Sequence, residues 1–545
     1  MRRFLCILPC LLACASLPAQ DFLSQILTLT GETDAEALDE RVLERFDALS
    51  ASPLCLNLSG RGALVSSGLF TPFQVASILD YRATQGDILS FTELTLVDGF
   101  DASLAEALRP FVSLRSASAV GHPPDSAVRQ RLVVRGAVAS TGWNAGVKYR
   151  IGAGRFEGAG ALNRPSAGGL AGGGYLRWEG RIWLGKAIAG DFHVRFGQGL
   201  VLWSSFSFSG VSTPESFARR PSGLAPAWSW NGTALRGAAA DFCLGPLILT
   251  VCADVPRLRG SPSAVMPAAN LSWYSRYGQC GVSACPEAVS ADGRYCIRGV
   301  DIFAEAAFDF RNKSPAAVAG VMFPAGAFSL SALGRYYSAA YDVSHAGAVR
   351  SSTKVKDEAG VSLGARWKDW SLTADAFTKL SAPKRGLKAV LAGNQPLGEH
   401  ITLKIRIAER LRNYAPLNRT DVRADLALDY GRWLTNVRAN AVFSKGAGFL
   451  AYAEQGFKVE KLALWLRLTL FRADNWDDRL YSYERDAPGS FNVPAYYGRG
   501  FALALTGSCK LLKNRLKIYA RTALAVNTAK AVTKAEAKLQ AVWDF

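Results

Sequence analysis

The sequence predicts two unequal parts, a small all-α segment followed by a large antiparallel transmembrane β-barrel of roughly 20 strands. Three observations predict it. From Val128 onward, apolar and polar residues alternate with a period of two. The alternation runs to the last residue, so that Ala535, Ala537, Leu539, Ala541, Trp543 and Phe545 share one face and the chain stops on an aromatic. No stretch after the leader reaches eighteen uninterrupted apolar residues, so helical spans do not compete with strands.

The leader is residues 1–20. Arg2 and Arg3 precede the apolar run FLCILPCLLACA and the small-residue exit SLPA, which is the layout of a cleaved secretory signal. Leu11-Leu12-Ala13-Cys14 also has the form of a lipoprotein cleavage box, although the apolar run before it is short. Seven cysteines follow the leader, and an odd number leaves at least one thiol without an intrachain disulfide. Cys280, Cys285 and Cys296 lack a nearby fourth ligand for zinc; a loop disulfide or apolar strand positions suit them better.

Residues 21–115 form the predicted helical region. Leu38, Val42, Phe46 and Leu49 recur at helical spacing among acidic residues. Two helix, tight-turn, helix units follow between Leu54 and Val112. The region holds fourteen Asp and Glu against six Arg and no Lys, a net charge of about −8. The whole chain carries +18, so the long C-terminal part is strongly basic, at about +24. Residues 116–127, SASAVGHPPDSA, read as a linker between the two.

Residues 128–545 read as the barrel. In Arg298 to Phe310, Val300, Ile302, Ala304, Ala306, Phe308 and Phe310 oppose Asp301, Glu305 and Asp309. Between His400 and Ala408, Ile401, Leu403, Ile405 and Ile407 oppose Lys404 and Arg406. Val422, Leu426, Leu428 and Tyr430 oppose Asp421, Arg423 and Asp425, and every even position from Leu462 to Leu470 is leucine, opposite Arg467 and Thr469. One face suits lipid and the other a wet lumen, a pattern a soluble sandwich or propeller also produces. Trp367, Trp370, Trp433, Trp465, Tyr481 and Tyr483 are expected in interfacial girdles. Lys404, Arg406, Arg423 and Arg467 are the lumen-facing basic candidates, which favour anionic solutes or polymers.

Three catalytic-looking motifs fail on context. Gly180 to Lys186 nearly spells a phosphate-binding loop but continues into Ala187 and strand-like sequence. Ser362 in Gly360-Val361-Ser362-Leu363-Gly364 has hydrolase-elbow spacing inside a period-two stretch, with no turn to present it. Asp474, Asp477, Asp478, Glu484 and Asp486 lack the glycine-containing spacing of a calcium loop. The histidines are dispersed, so neither a catalytic constellation, nor a metal site, nor a cofactor is predicted.

Leu56-Asn57-Leu58, LFTPFQVASILDYRATQGDILSFTEL and LVDGFDASLAEALRPFV resemble the tandem helix-hairpin-helix module of ComEA-like competence proteins. Phe196 to Trp203 and Asp477 to Glu484 look like two further recurring blocks, and together they resemble exported proteins in which such a module precedes an outer-membrane barrel. The resemblance implies a periplasmic module, a barrel in outer-membrane lipid, and phosphate contacts from the hairpins, with Thr71, Gln74 and Gly99 as the nucleic-acid-binding candidates. The hairpins depart from the glycine, apolar, glycine pattern: the first reads Leu69-Phe70-Thr71 and the second Gly99-Phe100-Asp101. An acidic module also lacks the charge that drives non-specific DNA binding. The reading is therefore a non-enzymatic channel or binding protein for anionic solutes or polymers. In it the module meets a protein partner or plugs the basic lumen. A DNA-uptake component and a barrel enzyme such as a lipid hydrolase are the alternatives.

Overall fold

The structure, a computed structural model, describes residues 22–32, 35–38, 40–115, 128–180, 183–204, 211–230, 234–416, 418–490 and 492–545. The expected leader at 1–20 and linker at 116–127 lie outside the described residues.

Twenty-four strands close into one antiparallel barrel. The last strand, Val532–Asp544, pairs with the first, Arg129–Ala139, from Asp544 opposite Arg131 to Glu536 opposite Ala139. Closure removes the edges, and that is what lets a sheet keep all its backbone groups paired away from water. The count exceeds the expected 20 because strands near the chain termini of the barrel are joined by only two to four residues, as at 154–155, 298–299 and 431–432. The longest connections, 196–222, 338–357 and 474–497, leave from the opposite end. Gly223–Pro226 and Leu235–Leu244 lie in line along the same neighbour, Leu184–Arg195, the first pairing with Phe192 to Arg195 and the second with Leu184 to Phe192.

Side-chain direction follows the predicted alternation. Leu462, Leu464, Leu466, Leu468 and Leu470 point outward, Leu466 being 49% exposed, whereas Thr469 is 1% exposed and Arg467 is buried. Ile302 and Phe308 likewise face out, with Glu305 and Asp309 buried inside. Outward aromatics gather in two belts. Phe156, Trp273, Trp367, Trp433 and Trp543 mark the end with the short turns, and Trp143, Phe310, Tyr336, Phe443 and Phe449 mark the other. Two residues expected in a belt are elsewhere. Trp465 shares the inward parity of Arg467 and lies under Arg485, 3.6 Å from guanidinium carbon to ring centre. Tyr483 belongs to the connection 474–497, which folds into the lumen and is held there by its backbone.

The N-terminal part is helical: α1 (Phe22–Thr30), α2 (Glu40–Ala51), α3 (Arg61–Ser67), α4 (Pro72–Thr84), α5 (Phe91–Leu94) and α6 (Ala102–Leu108). The first helix ends at Gly31, whose φ is +73°. Ile26, Phe46, Leu64, Ile78 and Phe111 form one core. Asn57 fastens the ends of this module: its side-chain amide donates to Ile88 O at 2.9 Å and to Leu114 O at 3.2 Å, and its oxygen accepts from Ile88 N at 2.9 Å.

The outward face sets a depth-dependent expectation. Leu466→Arg, at mid-strand, should lower folding stability in a bilayer by about 2–4 kcal/mol, and Leu462→Arg at the rim by about 0–1 kcal/mol. Reversible denaturant titration of vesicle-inserted protein measures both, and equal costs at the two depths would count against a membrane-embedded face.

Candidate functional site in the barrel lumen

The lumen is occupied from both ends. From the long-loop end, 196–204, 211–222 and 338–357 fold inward and bury Leu200, Val201, Phe217, Tyr341 and Val349 against Phe303, Leu333 and Tyr337 of the wall. Glu305 holds the first of these loops by accepting from Gln198 N at 2.6 Å and Leu200 N at 3.1 Å, and Tyr341 donates to Leu200 O at 2.7 Å. The Phe196–Trp203 block is thus a lumenal loop. The Asp477–Glu484 block folds in as well: Arg467 donates to Tyr483 O at 2.7 Å and to Ser482 Oγ at 2.5 Å, and it stacks on Tyr452.

From the terminal end come the helices. Asp80 on α4 pairs with Arg276 in a short turn, and Arg61 on α3 lies over the Tyr274 ring. Deeper in, the module's carboxylates meet lumenal cations at separate points of the wall. Glu44 and Asp47 on α2 take Lys148 at 2.5 Å and Arg131 at 2.7 Å. Glu36, in the short 3₁₀ turn Ala35–Ala37, accepts from Arg438 Nη1 at 2.6 Å and from Tyr483 N at 2.9 Å, with Arg423 Nη1 at 3.4 Å. Asp425 bridges Arg423 and Arg438 from behind. The first loop reaches the same segment, since Thr213 donates to Gly31 O and Ser212 to Glu32, each at 2.7 Å. Burial and the nearby Arg220 push Arg45 down to about 10, and burial beside Arg294 does the same to Arg220.

Of the four basic candidates, Arg423 meets the module directly and Arg467 fastens a loop. Lys404 and Arg406 lie on the inward side of Ile401–Arg412, opposite Asp425 and Arg423 in register. Arg131, Lys148 and Arg438 were missed by sequence reading. Arg438 stands in Trp433–Phe443, where Asn436 and Asn440 share its face, a signal as regular as the one that marked Arg423.

Thr71, Gln74 and Gly99 come together, but on one another. Thr71 caps α4, its Oγ1 accepting from Gln74 N, while Gln74 Oε1 accepts from Thr71 N and Gln74 Nε2 donates to Gly99 O at 2.8 Å. Gly99 has φ +88°, and a Cβ there would press on the Phe73 ring. The two turns are thereby stitched together, with the polar groups of both glutamine and threonine engaged internally.

The remaining motifs resolve as wall or loop structure. Ser362 lies within Glu358–Trp367, fully buried, accepting from Arg335 at 3.1 Å and donating to Asp375 at 2.7 Å. Lys186 lies in Leu184–Arg195 and donates to Leu224 O. The acidic run is dispersed: Asp477 pairs with Lys445, Glu484 with Arg521 and Asp486 with Lys538, and Asp478 caps the turn at Asn475. Among the described residues no acidic, histidine or cysteine group has the grouping of a metal site, and the seven cysteines are free thiols.

No family model and no curated protein matches the chain. Among solved structures it is similar to OccK3 (OpdO) of Pseudomonas aeruginosa, 12% identical over 77% of this chain and 95% of that one, with a TM-score of 0.30. It is similar also to the outer membrane protein OpdK of the same organism, at 11%, 77%, 98% and 0.31. The P pilus usher (PapC) translocation pore gives 8%, 76%, 99% and 0.37.

The module contact can be tested by charge reversal. Glu44→Lys alone leaves Lys148 facing a like charge in a half-buried setting and should weaken docking by about 3–5 kcal/mol. Adding Lys148→Glu should restore most of that. Protease protection of residues 22–51 in the folded barrel measures it, and additive rather than compensating effects would show that the pair carries no coupling.

Proposed function

We propose that this chain is a non-enzymatic outer-membrane β-barrel, a channel or binding protein for anionic solutes or polymers, whose lumen is closed by its own acidic N-terminal module on the periplasmic side. The observation that carries the reading is the seating of Glu36. A carboxylate of the module occupies the guanidinium groups of Arg438 and Arg423 and a backbone N–H of the folded-in loop, where a carboxylate or phosphate of a ligand would be held. Glu44 on Lys148 and Asp47 on Arg131 repeat the arrangement along the wall. The two aromatic belts and the leucine-rich outer face support the membrane setting.

In this reading the module adopts a helix-hairpin-helix arrangement of the ComEA-like kind, used for docking to the barrel. Its hairpins hold phosphate poorly: the first has neither glycine of the glycine, apolar, glycine pattern, its Gly68 being the left-handed cap of α3, and the polar groups of Thr71 and Gln74 are committed to each other and to Gly99. Nucleic acid would have to be recognised by the basic lumen after the module has left.

Removing residues 21–115 should convert a closed or rarely open protein into one with steady, anion-selective conductance in planar bilayers. Glu36→Gln in the full chain should give an intermediate open fraction, about tenfold above the parent. In 1 M salt the exposed Asp80–Arg276 pair should weaken, whereas the buried pairs of Glu36, Glu44 and Asp47 should be screened much less. Equal conductance of full-length and module-deleted protein would overturn closure by the module, and cation selectivity of the deleted form would overturn the anionic ligand class.

A further inference from the structure

The ladder that closes the wall is interrupted at one seam. Ala171–Glu179 is paired along its whole length with Phe156–Arg164, yet it pairs with Leu184–Arg195 only from Tyr175 opposite Gly190 to Glu179 opposite Lys186. Beyond that point the second strand turns inward. Gly190 makes the turn at φ +105°, and a Cβ there would lie 2.2 Å from Gly174 O, so no other residue fits. From Ala171 to Gly174, side chains replace the missing ladder. Asp191 Oδ2 accepts from Gly174 N at 2.9 Å, and Arg236 Nη2 donates to Asp191 Oδ2 at 2.9 Å and to Gly172 O at 2.8 Å. Gly173 leaves the room for this staple, since a Cβ there would overlap the Asp191 carboxylate.

An independent feature lies on the outer surface below the interruption. A cavity of about 950 Å³ runs along the lipid-facing side, between outward Leu176 and Trp178 on one flank and Val251 on the other, with Ala187, Ala189 and Ala238 as its floor. It extends from the aromatic belt near Phe156 toward the Gly190 bend. Behind the same strands, Tyr175, Ile188, Phe192 and Leu235 belong to the apolar cluster that fills this side of the lumen. Apolar surface therefore lies on both sides of the wall where the wall is joined by two side chains rather than by backbone.

We infer that this seam is a lateral portal through which the hydrocarbon chain of a long-chain fatty acid passes between the outer groove and the lumen. The Arg236–Asp191 staple is its latch. The inference rests on the membrane-spanning reading above, but it concerns a different ligand and a different route from the axial path that the module closes. Hydrocarbon fits the groove because the cavity faces the acyl layer between the two belts and its lining is aliphatic and aromatic apart from Glu157 and Arg177, which pair with each other. A carboxylate head fits the mouth because Arg236, which already holds one carboxylate, lies at the bend, whereas Arg177, the cation of the groove lining, is paired with Glu157. Opening exchanges two charge-assisted contacts for contacts to the incoming head group and requires no backbone ladder to break above Tyr175.

The test uses the full chain in lipid nanodiscs with a palmitate bearing a diazirine near its methyl end, irradiated and mapped by peptide mass spectrometry. Adducts should concentrate on 176–189 and 238–251, about tenfold over the outward leucines of Leu462–Ala473. Ala189→Trp together with Ala238→Trp should remove that excess, whereas Leu466→Trp should leave it. Arg236→Gln, checked for barrel closure by its heat-modifiable mobility, should raise adducts on the lumenal segment 192–203 by about tenfold. Adducts spread evenly around the outer face, or a lumenal segment left unlabelled in a closed Arg236→Gln barrel, would overturn the portal. Failure of the parent to enter nanodiscs would instead overturn the membrane reading on which it rests.

Discussion

A closed sheet leaves no edge on which backbone donors and acceptors lack a partner, and closure organises the whole barrel. It explains why Val532–Asp544 must come back to Arg129–Ala139 across four hundred residues, and why successive strands are antiparallel neighbours joined by the shortest turns at one end. It also gives weight to the place where the ladder stops. At Ala171–Gly174 the carbonyl of Gly172 is met by a guanidinium and the N–H of Gly174 by a carboxylate. Such a joint satisfies the same donors and acceptors, yet it can be exchanged group for group with a ligand, which a continuous ladder cannot.

The second constraint follows from the first. A ring of this many strands encloses far more space than its own inward side chains fill, so what occupies the lumen decides what the barrel can pass. Here the filling differs by sector. Beside the strands from Ala171 to Trp367 the loop segments 196–204, 211–222 and 338–357 bring leucine, valine and tyrosine inward and build a core. Near Arg131, Lys148, Arg423 and Arg438 the filling is ionic and comes from the helices. An apolar core is costly to disassemble, whereas ion pairs that keep some contact with water can be traded for solvent or for another anion. The ionic sector is accordingly the one suited to opening.

How much of this was legible in the sequence depended on whether a feature is written in a local period. Outward and inward faces were readable residue by residue, because a strand reverses its side chain at each step; Leu466 and Thr469 could be assigned without any knowledge of their neighbours. The strand number was not readable to the same degree, since it depends on turn lengths that a few residues of Gly, Asn or Lys leave undetermined. Trp465 shows a further limit: an aromatic near a strand end suggests a belt, but its parity with Arg467 puts it inside. Tyr483 and the two recurring blocks were recognisable as motifs and unreadable as loops, because folding back into a lumen is a long-range event with no local signature. The same holds for Glu36, whose partners stand about four hundred residues away.

On the proposed helix-hairpin-helix reading, the module shows why fold is a weak guide to ligand. The residues that would face a phosphate have been turned to other uses: Thr71 and Gln74 cap α4 and reach across to Gly99, so the hairpins hold each other. Its surface charge has moved the same way, to about −8 beside a barrel of about +24. Long-range attraction of that size steers two bodies together, but close pairs must give up hydration to form, so the net gain from each is small. A module held by many such pairs, at Arg131, Lys148, Arg276, Arg423 and Arg438, docks specifically without docking irreversibly. On the function proposed above, those are the properties of a closure that an anionic ligand displaces, since the ligand offers the lumenal cations the same oxygen chemistry and none of the module's conformational cost.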